Sequence, residues 1–348
     1  MSICLVTGGA GFIGSHLVTH LLDLRQTVLV LDDLSGGRRE NVDPRAELVI
    51  GSVVDHEQIE SLFRGRGIER VYHLAAFTAE PLSHFVKRLN YDVNVRGSIN
   101  IINASVRHGV KGIVFASTTG VYGDVPSPLR EDGPLRPVDS YGLGKLLVEQ
   151  ELAITRRLFG LDFVALRLHN VYGENQLLAD PYRNAVGIFL NQIMRDEPLS
   201  VYGDGEQVRA FTYVRDIIPI LAAALDVPQA CGKAFNLGSA RLSSLNQLAD
   251  AVRTAMGVPE HPIDHAPGRY ELSNVYTDTA LARSVFGAWS ETGLAEGLAR
   301  TARWARRLGP QELRSPIELE VDPQHLPGWV RDVSARIGDG RPLVLGTK

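Results

Sequence analysis

Short unbroken apolar runs alternate along the chain with longer segments whose apolar residues recur at spacings of three and four. The runs at 2–6, 27–31, 47–50, 70–74, 112–116 and 162–168 are too short for helices and predict buried strands. The segments at 15–24, 57–64, 184–195 and 217–225 carry the helical period, as does the stretch opened by Tyr141. A long helix is predicted from about 92 to 109, and another over 244–256 with Ser243 or Ser244 as its N-cap. Residues 199–205 read as a strand and turn, 234–238 as a short strand, and 174–183 as a loop. Strands alternating with helices predict an α/β fold with a doubly wound parallel sheet, whose ligands bind beyond the carboxyl ends of the strands.

The first strand runs into Thr7-Gly8-Gly9-Ala10-Gly11-Phe12-Ile13-Gly14, a glycine-rich turn at the head of a helix. Gly8 permits a tight turn, Gly11 lets backbone approach a pyrophosphate, and Gly14 lets helix and strand pack closely. The helix N-terminus adds free N–H groups and a positive dipole end for phosphate. The second strand ends at Asp32, where a carboxylate can accept both hydroxyls of a ribose and repel a 2′-phosphate. That favours NAD; Arg38 and Arg39 stand close enough in sequence to hold the extra phosphate of NADP.

A second centre follows the fifth strand. Ser117-Thr118-Thr119-Gly120 is followed by Tyr141-Gly142-Leu143-Gly144-Lys145, which puts a phenol and an ammonium on one helix face at i and i+4. A lysine cation beside a tyrosine favours the phenolate, and a facing hydroxyl lowers its pKa further, making a general base. Asp32, the Gly8 turn, Ala75 and Thr118 all fall at strand ends, so this base lies beside the nucleotide site.

Composition adds mainly exclusions. The 348 residues are 44% hydrophobic and 22% charged, ordinary for a soluble globular protein. A net charge of −4 gives no electrostatic reason to expect nucleic acid or a membrane surface as partner. Two cysteines, Cys4 and Cys231, make neither a disulfide framework nor a metal set. With no signal peptide and no apolar stretch of roughly 18 residues, the expected location is the cytoplasm. Residues 310–348 change character, with prolines, mixed charge and weak periodicity; they read either as an ordered appendage with a short helix at 326–337 or as a mobile tail.

Taken in order, the glycine turn, Asp32, His73-Leu74-Ala75-Ala76, Asn94-Val95-Arg96-Gly97, Ser117-Thr118, Tyr141 to Lys145 and His169-Asn170-Val171-Tyr172-Gly173 resemble the extended short-chain dehydrogenases. The likeness is to their NAD-dependent nucleotide-sugar epimerase/dehydratase group, most of all to UDP-sugar 4-epimerases, and covers about residues 2–308. It implies a Rossmann-type NAD domain, 1–172 with 211–238, and a smaller C-terminal α/β substrate domain, 173–210 with 239–308, leaving 309–348 as an extension of unassigned role. It also implies a homodimer, with the Asn94 and Tyr141 helices packed as an intermolecular four-helix bundle.

The resemblance further assigns residues. Tyr141 is the acid/base, Lys145 its partner that also binds the nicotinamide ribose, and Thr118 the hydroxyl bridging the tyrosine and sugar O4. The cofactor falls to Gly8, Gly11, Phe12, Ile13, Gly14 and Asp32, then to Ser52, Val53, Leu74, Ala75 and Ala76, and also to Asn94 and Ser117. The substrate diphosphate falls to Asn170, Arg209 and Arg269, the arginines as bidentate partners. One departure is Ser52, where many members carry an aspartate beside the adenine.

Two further departures narrow the reaction. Where the 4,6-dehydratases carry an Asp-Glu pair after the threonine, this chain has Thr119 and Gly120; the glutamate of the UDP-glucuronate decarboxylases is missing with it. C4 epimerisation needs only the Thr/Tyr/Lys set. The expected function is therefore epimerisation of a nucleotide-diphosphate sugar at C4 through a 4-keto intermediate. A reductase, dehydratase or C2 or C3/C5 epimerase remains the enzymatic alternative, and a silent NAD-binding regulatory protein the alternative of another class. Neither nucleotide nor sugar is fixed by the sequence.

Overall fold

The computed structural model describes residues 3–268, 274–313, 318–321 and 323–337. The chain opens with β1 (Ile3–Thr7), α1 (Phe12–Asp23), β2 (Thr27–Asp32), β3 (Glu47–Ile50), α2 (His56–Phe63) and β4 (Ile68–His73). Next come α3 (Lys87–Tyr91), a π-helical turn at Asp92–Arg96, α4 (Gly97–Arg107), β5 (Gly112–Thr118), α5 (Ser140–Phe159) and β6 (Asp162–Leu168). After β7 (Val171–Tyr172), α6 (Ala185–Met194), β8 (Leu199–Tyr202), β9 (Val208–Ala210), β10 (Thr212–Tyr213) and α7 (Val214–Ala223), the chain returns to the main sheet as β11 (Lys233–Leu237). It continues through β12 (Leu242–Ser244), α8 (Leu245–Ala255), β13 (Ile263–Ala266), β14 (Asn274–Val275), α9 (Ala280–Phe286), α10 (Leu294–Leu308) and α11 (Gly328–Ile337).

The main sheet is parallel, in the order β11-β6-β5-β4-β1-β2-β3. It is the Rossmann-type sheet expected from the strand–helix alternation. Successive residues of each strand feed opposite cores. Cys4, Val6, Val28, Val30, Val114 and Val164 pack toward α1 and α7, meeting Leu17, Leu21, Ile217 and Leu221. Leu5, Leu29, Leu31, Val71, Ile113 and Phe115 pack the other way, against Ile59 and Leu62 of α2, Ile101 of α4 and Val148 and Leu152 of α5. Burial on both faces is why these strands read as continuous apolar runs.

The smaller lobe carries the sheets β12-β9-β14 and β13-β8. It has no separate core: Phe189 and Leu190 of α6, Leu248 and Val252 of α8, and Leu298 of α10 join the core on the α1 side of the main sheet. Ser244 is the N-cap of α8, with a reciprocal bond to Gln247.

Two expectations change, and one left open is narrowed. The long helix expected from 92 begins at Lys87 and passes through the π turn, which sequence period does not reveal. The helix expected over 217–225 starts at Val214. The C-terminal segment is an ordered appendage across its described residues, with α11 docked onto the segment after β4.

Candidate active site

One cleft of about 1520 Å3 runs along the carboxyl ends of the main-sheet strands, lined at one end by Gly8, Asp32 and Ser52 and at the other by Tyr141, Asn170 and Arg209. A single small-molecule pocket is typically ~300–1,000 Å3, so this cleft has room for a dinucleotide and a second ligand together.

At the nucleotide end, Gly8 takes φ +73°, and a Cβ there would lie 2.7 Å from the Ala75 nitrogen. At Gly14 a Cβ would lie 2.1 Å from the Gly8 carbonyl oxygen. Both positions demand glycine: the first for the turn and the approach of β4, the second for packing the helix onto the turn. Phe12 and Ile13 begin α1, whose first N–H groups face the cleft where a pyrophosphate belongs.

Asp32 accepts the Ala10 N–H through Oδ2 at 2.9 Å and the Leu34 N–H through Oδ1 at 2.8 Å. Burial lifts its carboxyl pKa, and those backbone donors oppose the rise. The carboxylate is thus fixed in place at the cleft wall. Arg38 donates from Nη2 to Gln311 at 2.7 Å. That bond engages the guanidinium that would otherwise be offered to a 2′-phosphate. Ser52 and Val53 line the adenine side and Leu74, Ala75 and Ala76 the floor.

Asn94 takes a different place from the one expected. It is buried at 1% exposure. Its Oδ1 accepts the Phe77 N–H at 3.0 Å, and its Nδ2 donates to the Phe77 carbonyl at 2.9 Å and to Asn90 Oδ1 at 2.8 Å. Asn90 in turn donates to the Ser140 carbonyl at 2.8 Å. The π turn therefore presents an amide that ties the Ala76–Phe77 backbone to the head of α5.

The acid/base end is built from β5, the turn after it and α5. Asp139 caps α5, accepting the Gly142 N–H at 2.7 Å, and this holds Tyr141 in the first turn facing Thr118. Burial pushes the Tyr141 phenol well above its ordinary pKa; the charges of Glu80 and Asp139 add to the rise, while hydrogen bonding with Thr118 and the charge of Arg183 oppose it. Lys145 is also buried, and loss of solvent lowers its pKa to about 7 against the partial support of Glu149. Its ammonium donates to the Ala116 carbonyl at 2.9 Å and lies 5.9 Å from the Tyr141 ring centroid. The expectation that Lys145 and a facing hydroxyl lower the tyrosine pKa is therefore corrected: in the chain by itself, desolvation outweighs the hydrogen bond with Thr118.

Ser117 lines the cleft, and its hydroxyl donates to Glu149 Oε1 at 2.5 Å. Glu149 forms a bidentate pair with Arg167, at 3.0 and 2.7 Å, with exposures of 7% and 4%. Arg167 then donates to the Tyr122 hydroxyl, which donates to Asn236, at 2.8 and 2.7 Å. This buried chain bolts α5 to β6 and β11 behind the acid/base. Sequence reasoning missed it, although Glu149 stands at i+4 from Lys145 on the same helix face.

At the far end, Asn170 adopts φ +36° after β6 and its carbonyl accepts the Thr212 N–H. Arg209, on β9, is buried in the wall and donates to the Val208 carbonyl at 2.8 Å. Both line the cleft. Arg269, the other expected diphosphate arginine, lies outside the described residues. His169, which the sequence offered only as the first residue of its motif, lines the cleft with a buried ring. Burial and the Arg209 charge hold its pKa down to about 4, so it is neutral near pH 7.

A Rossmann sheet with a glycine turn, a ribose-directed carboxylate and a Thr/Tyr/Lys group in one cleft defines a dinucleotide-dependent enzyme acting on a second bound ligand. Residues 4–238 match the profile of the NAD dependent epimerase/dehydratase family, and the chain belongs to that family. The UDP-glucose 4-epimerase of Mycolicibacterium smegmatis is 35% identical over 311 residues, 87% of this chain and 98% of that protein. The crystal structure of UDP-glucose 4-epimerase with UDP-glucose from Thermotoga maritima matches with a TM-score of 0.82 and 33% identity, covering 88% of this chain and 99% of that one. The Thermus thermophilus UDP-glucose 4-epimerase complex with NAD matches with a TM-score of 0.79 and 33% identity over 87% and 98%. The chain is an NAD-dependent enzyme of nucleotide-sugar chemistry. Among the described residues no helix is long and apolar enough to cross a membrane, and no group of His, Cys, Asp or Glu could hold a metal ion.

Proposed function

We propose that the protein interconverts C4 epimers of a nucleotide-diphosphate hexose. The observation that carries this reading is Thr118, Tyr141 and Lys145 gathered on one wall of the cleft while the turn after Thr118 offers only Thr119 and Gly120. A hydroxyl, a phenol and an ammonium suffice to move one proton on and off O4; no carboxylate stands in that turn to work at C5 or C6.

NAD bound along the Gly8–Asp32 end supplies a hydride acceptor and donor for C4. Tyr141 takes the O4 proton as C4 is oxidised and gives it back when C4 is reduced on the other face. Thr118 orients O4 toward the phenol. Lys145 anchors to the Ala116 carbonyl with its ammonium 5.9 Å from the Tyr141 ring centroid and, in its charged form, favours the phenolate. Asn170, Arg209 and Arg269 hold the diphosphate, so the free sugar can turn while the nucleotide stays fixed. UDP is the proposed nucleotide, drawn from the relatives named above. Residues 1–172 with 211–238 serve as the NAD lobe, and 173–210 with 239–308 as the substrate lobe.

A second reading rests on Glu80. This carboxylate lines the cleft and its charge reaches Tyr141, so it offers a proton-transfer group for other nucleotide-sugar chemistry. Incubation with UDP-, dTDP- and GDP-hexoses, followed through the anomeric NMR signals, separates the two. C4 epimers at equilibrium with no net NADH support the first; a 4-keto-6-deoxy product, abolished by Glu80→Gln, supports the second.

A further inference from the structure

This chain is longer than relatives that it matches almost end to end. The M. smegmatis and T. maritima proteins are matched over 98% and 99% of their own length, yet span only 87% and 88% of this chain. The shortfall is close to the length of 309–348.

The described part of this segment is tied to both sides of the cleft. Gln311 accepts from Arg38, next to the ribose site, and exchanges two hydrogen bonds with Asn191 of α6 in the smaller lobe, at 2.8 and 2.9 Å. Further on, the Glu320 carboxylate accepts the N–H groups of Arg88 and Leu89 at 2.9 and 3.0 Å. Its own N–H donates to the Phe85 carbonyl at 2.8 Å. Val86 offers α3 no side-chain cap, so Glu320 supplies one from across the chain.

α11 then adds bulk to the cleft rim beside Phe77 and Tyr182. Val333, at 7% exposure, joins Phe77, Ala79, Leu82, Val86 and Tyr182 in one apolar cluster. Trp329 meets the Tyr182 ring edge-on at 6.4 Å. The neighbours of these residues act on the acid/base itself: Glu80 sits between Ala79 and Leu82, Arg183 follows Tyr182, and both charges reach Tyr141. Trp329 and Val333 line the same cleft as Tyr141.

We propose that Trp329 and Val333 form a wall of the sugar subsite, held there by Glu320, and that this wall restricts the enzyme to hexoses with a small 2-substituent over 2-acetamido sugars. The inference rests on the nucleotide-sugar reading and names its substrate class. An indole and an isopropyl group added to the wall of the cleft that holds the acid/base remove volume that an acetamido group would need, while Thr118, Tyr141 and Lys145 are untouched.

The test compares wild type, Trp329→Ala and Glu320→Ala with UDP-glucose and UDP-N-acetylglucosamine, each as full-length protein with NAD and with folding checked by circular dichroism. The wall predicts that both variants lower the preference for UDP-glucose, in kcat/KM, at least tenfold, with the change in KM rather than kcat. An unchanged preference in both folded variants overturns it. Wild type that turns over neither sugar counts against the functional reading alone. In that case the ratio of the two binding affinities by calorimetry decides the wall on the same tenfold criterion.

Discussion

Lys145 follows Tyr141 by one helical turn on α5, yet its ammonium is given to the Ala116 carbonyl and stands 5.9 Å from the tyrosine ring centroid. Both groups are driven toward their neutral forms by burial, the phenol upward and the ammonium down to about 7. The pair is therefore poised rather than ionised, and the phenolate depends on positive charge brought close to it.

Lys145→Met should move the alkaline-rising limb of the pH–rate profile to higher pH and lower the plateau by at least about 100-fold, a range expected for general-base support. Stability should move the opposite way. A lysine with a depressed folded pKa costs stability in full below about pH 7, where it is protonated in both states. That cost fades as pH rises toward the unfolded value near ~10.4. The cofactor-free variant should thus gain most in Tm, relative to wild type, at pH 6 and least at pH 10. A thermal-denaturation series across that range checks the sign.

Arg167→Met strands Glu149 in the protein interior without its bidentate partner. Breaking a buried pair from one side costs roughly 3–5 kcal/mol. Chemical denaturation should show a loss of that order, and Glu149→Gln/Arg167→Met together should recover part of it.

Asp32 and the engagement of Arg38 by Gln311 predict that NADP binds at least 100-fold more weakly than NAD. Asp32→Ser removes the repulsion and should narrow the gap, chiefly by weakening NAD. Calorimetric titration of cofactor-free protein measures both affinities.

The sheet was legible because its strands, buried on both faces, read as unbroken apolar runs, and because Gly8, Gly14 and Asp32 each answer a local steric or charge demand. Tyr141 and Thr118 were legible as residue types, but not their protonation, which depends on burial that no spacing reveals. The bonds Asn94 makes to Phe77 and Asn90 were not legible, since the π turn at Asp92–Arg96 rotates side chains relative to an α-helical period. Glu320, Trp329 and Val333 were invisible for another reason: their partners lie more than two hundred residues away in Arg88 and Phe77 or across the loop at Tyr182, and weak periodicity gives such contacts no signal.

The outer face of α5 carries exposed Leu143, Leu147, Ile154 and Leu158, at 47%, 42%, 39% and 68%. An apolar stripe of this kind marks an association surface. We propose that the homodimer implied by the family resemblance uses this face, so Leu147→Glu should shift the protein from dimer to monomer in light scattering while leaving NAD binding within about twofold.

The central claim is that the C4 hydrogen would pass as hydride to bound NAD and back without exchange with water, while Tyr141 takes and returns the O4 proton. The direct measurement is epimerisation of a UDP-hexose by the NAD-bound protein in deuterium oxide, read by NMR and mass spectrometry, beside Tyr141→Phe. The account predicts the C4 epimer with no deuterium at any carbon, and at least about 1,000-fold slower formation by the variant, which still holds NAD. Deuterium at a ring carbon of the product, or near-wild-type turnover by Tyr141→Phe, would contradict it.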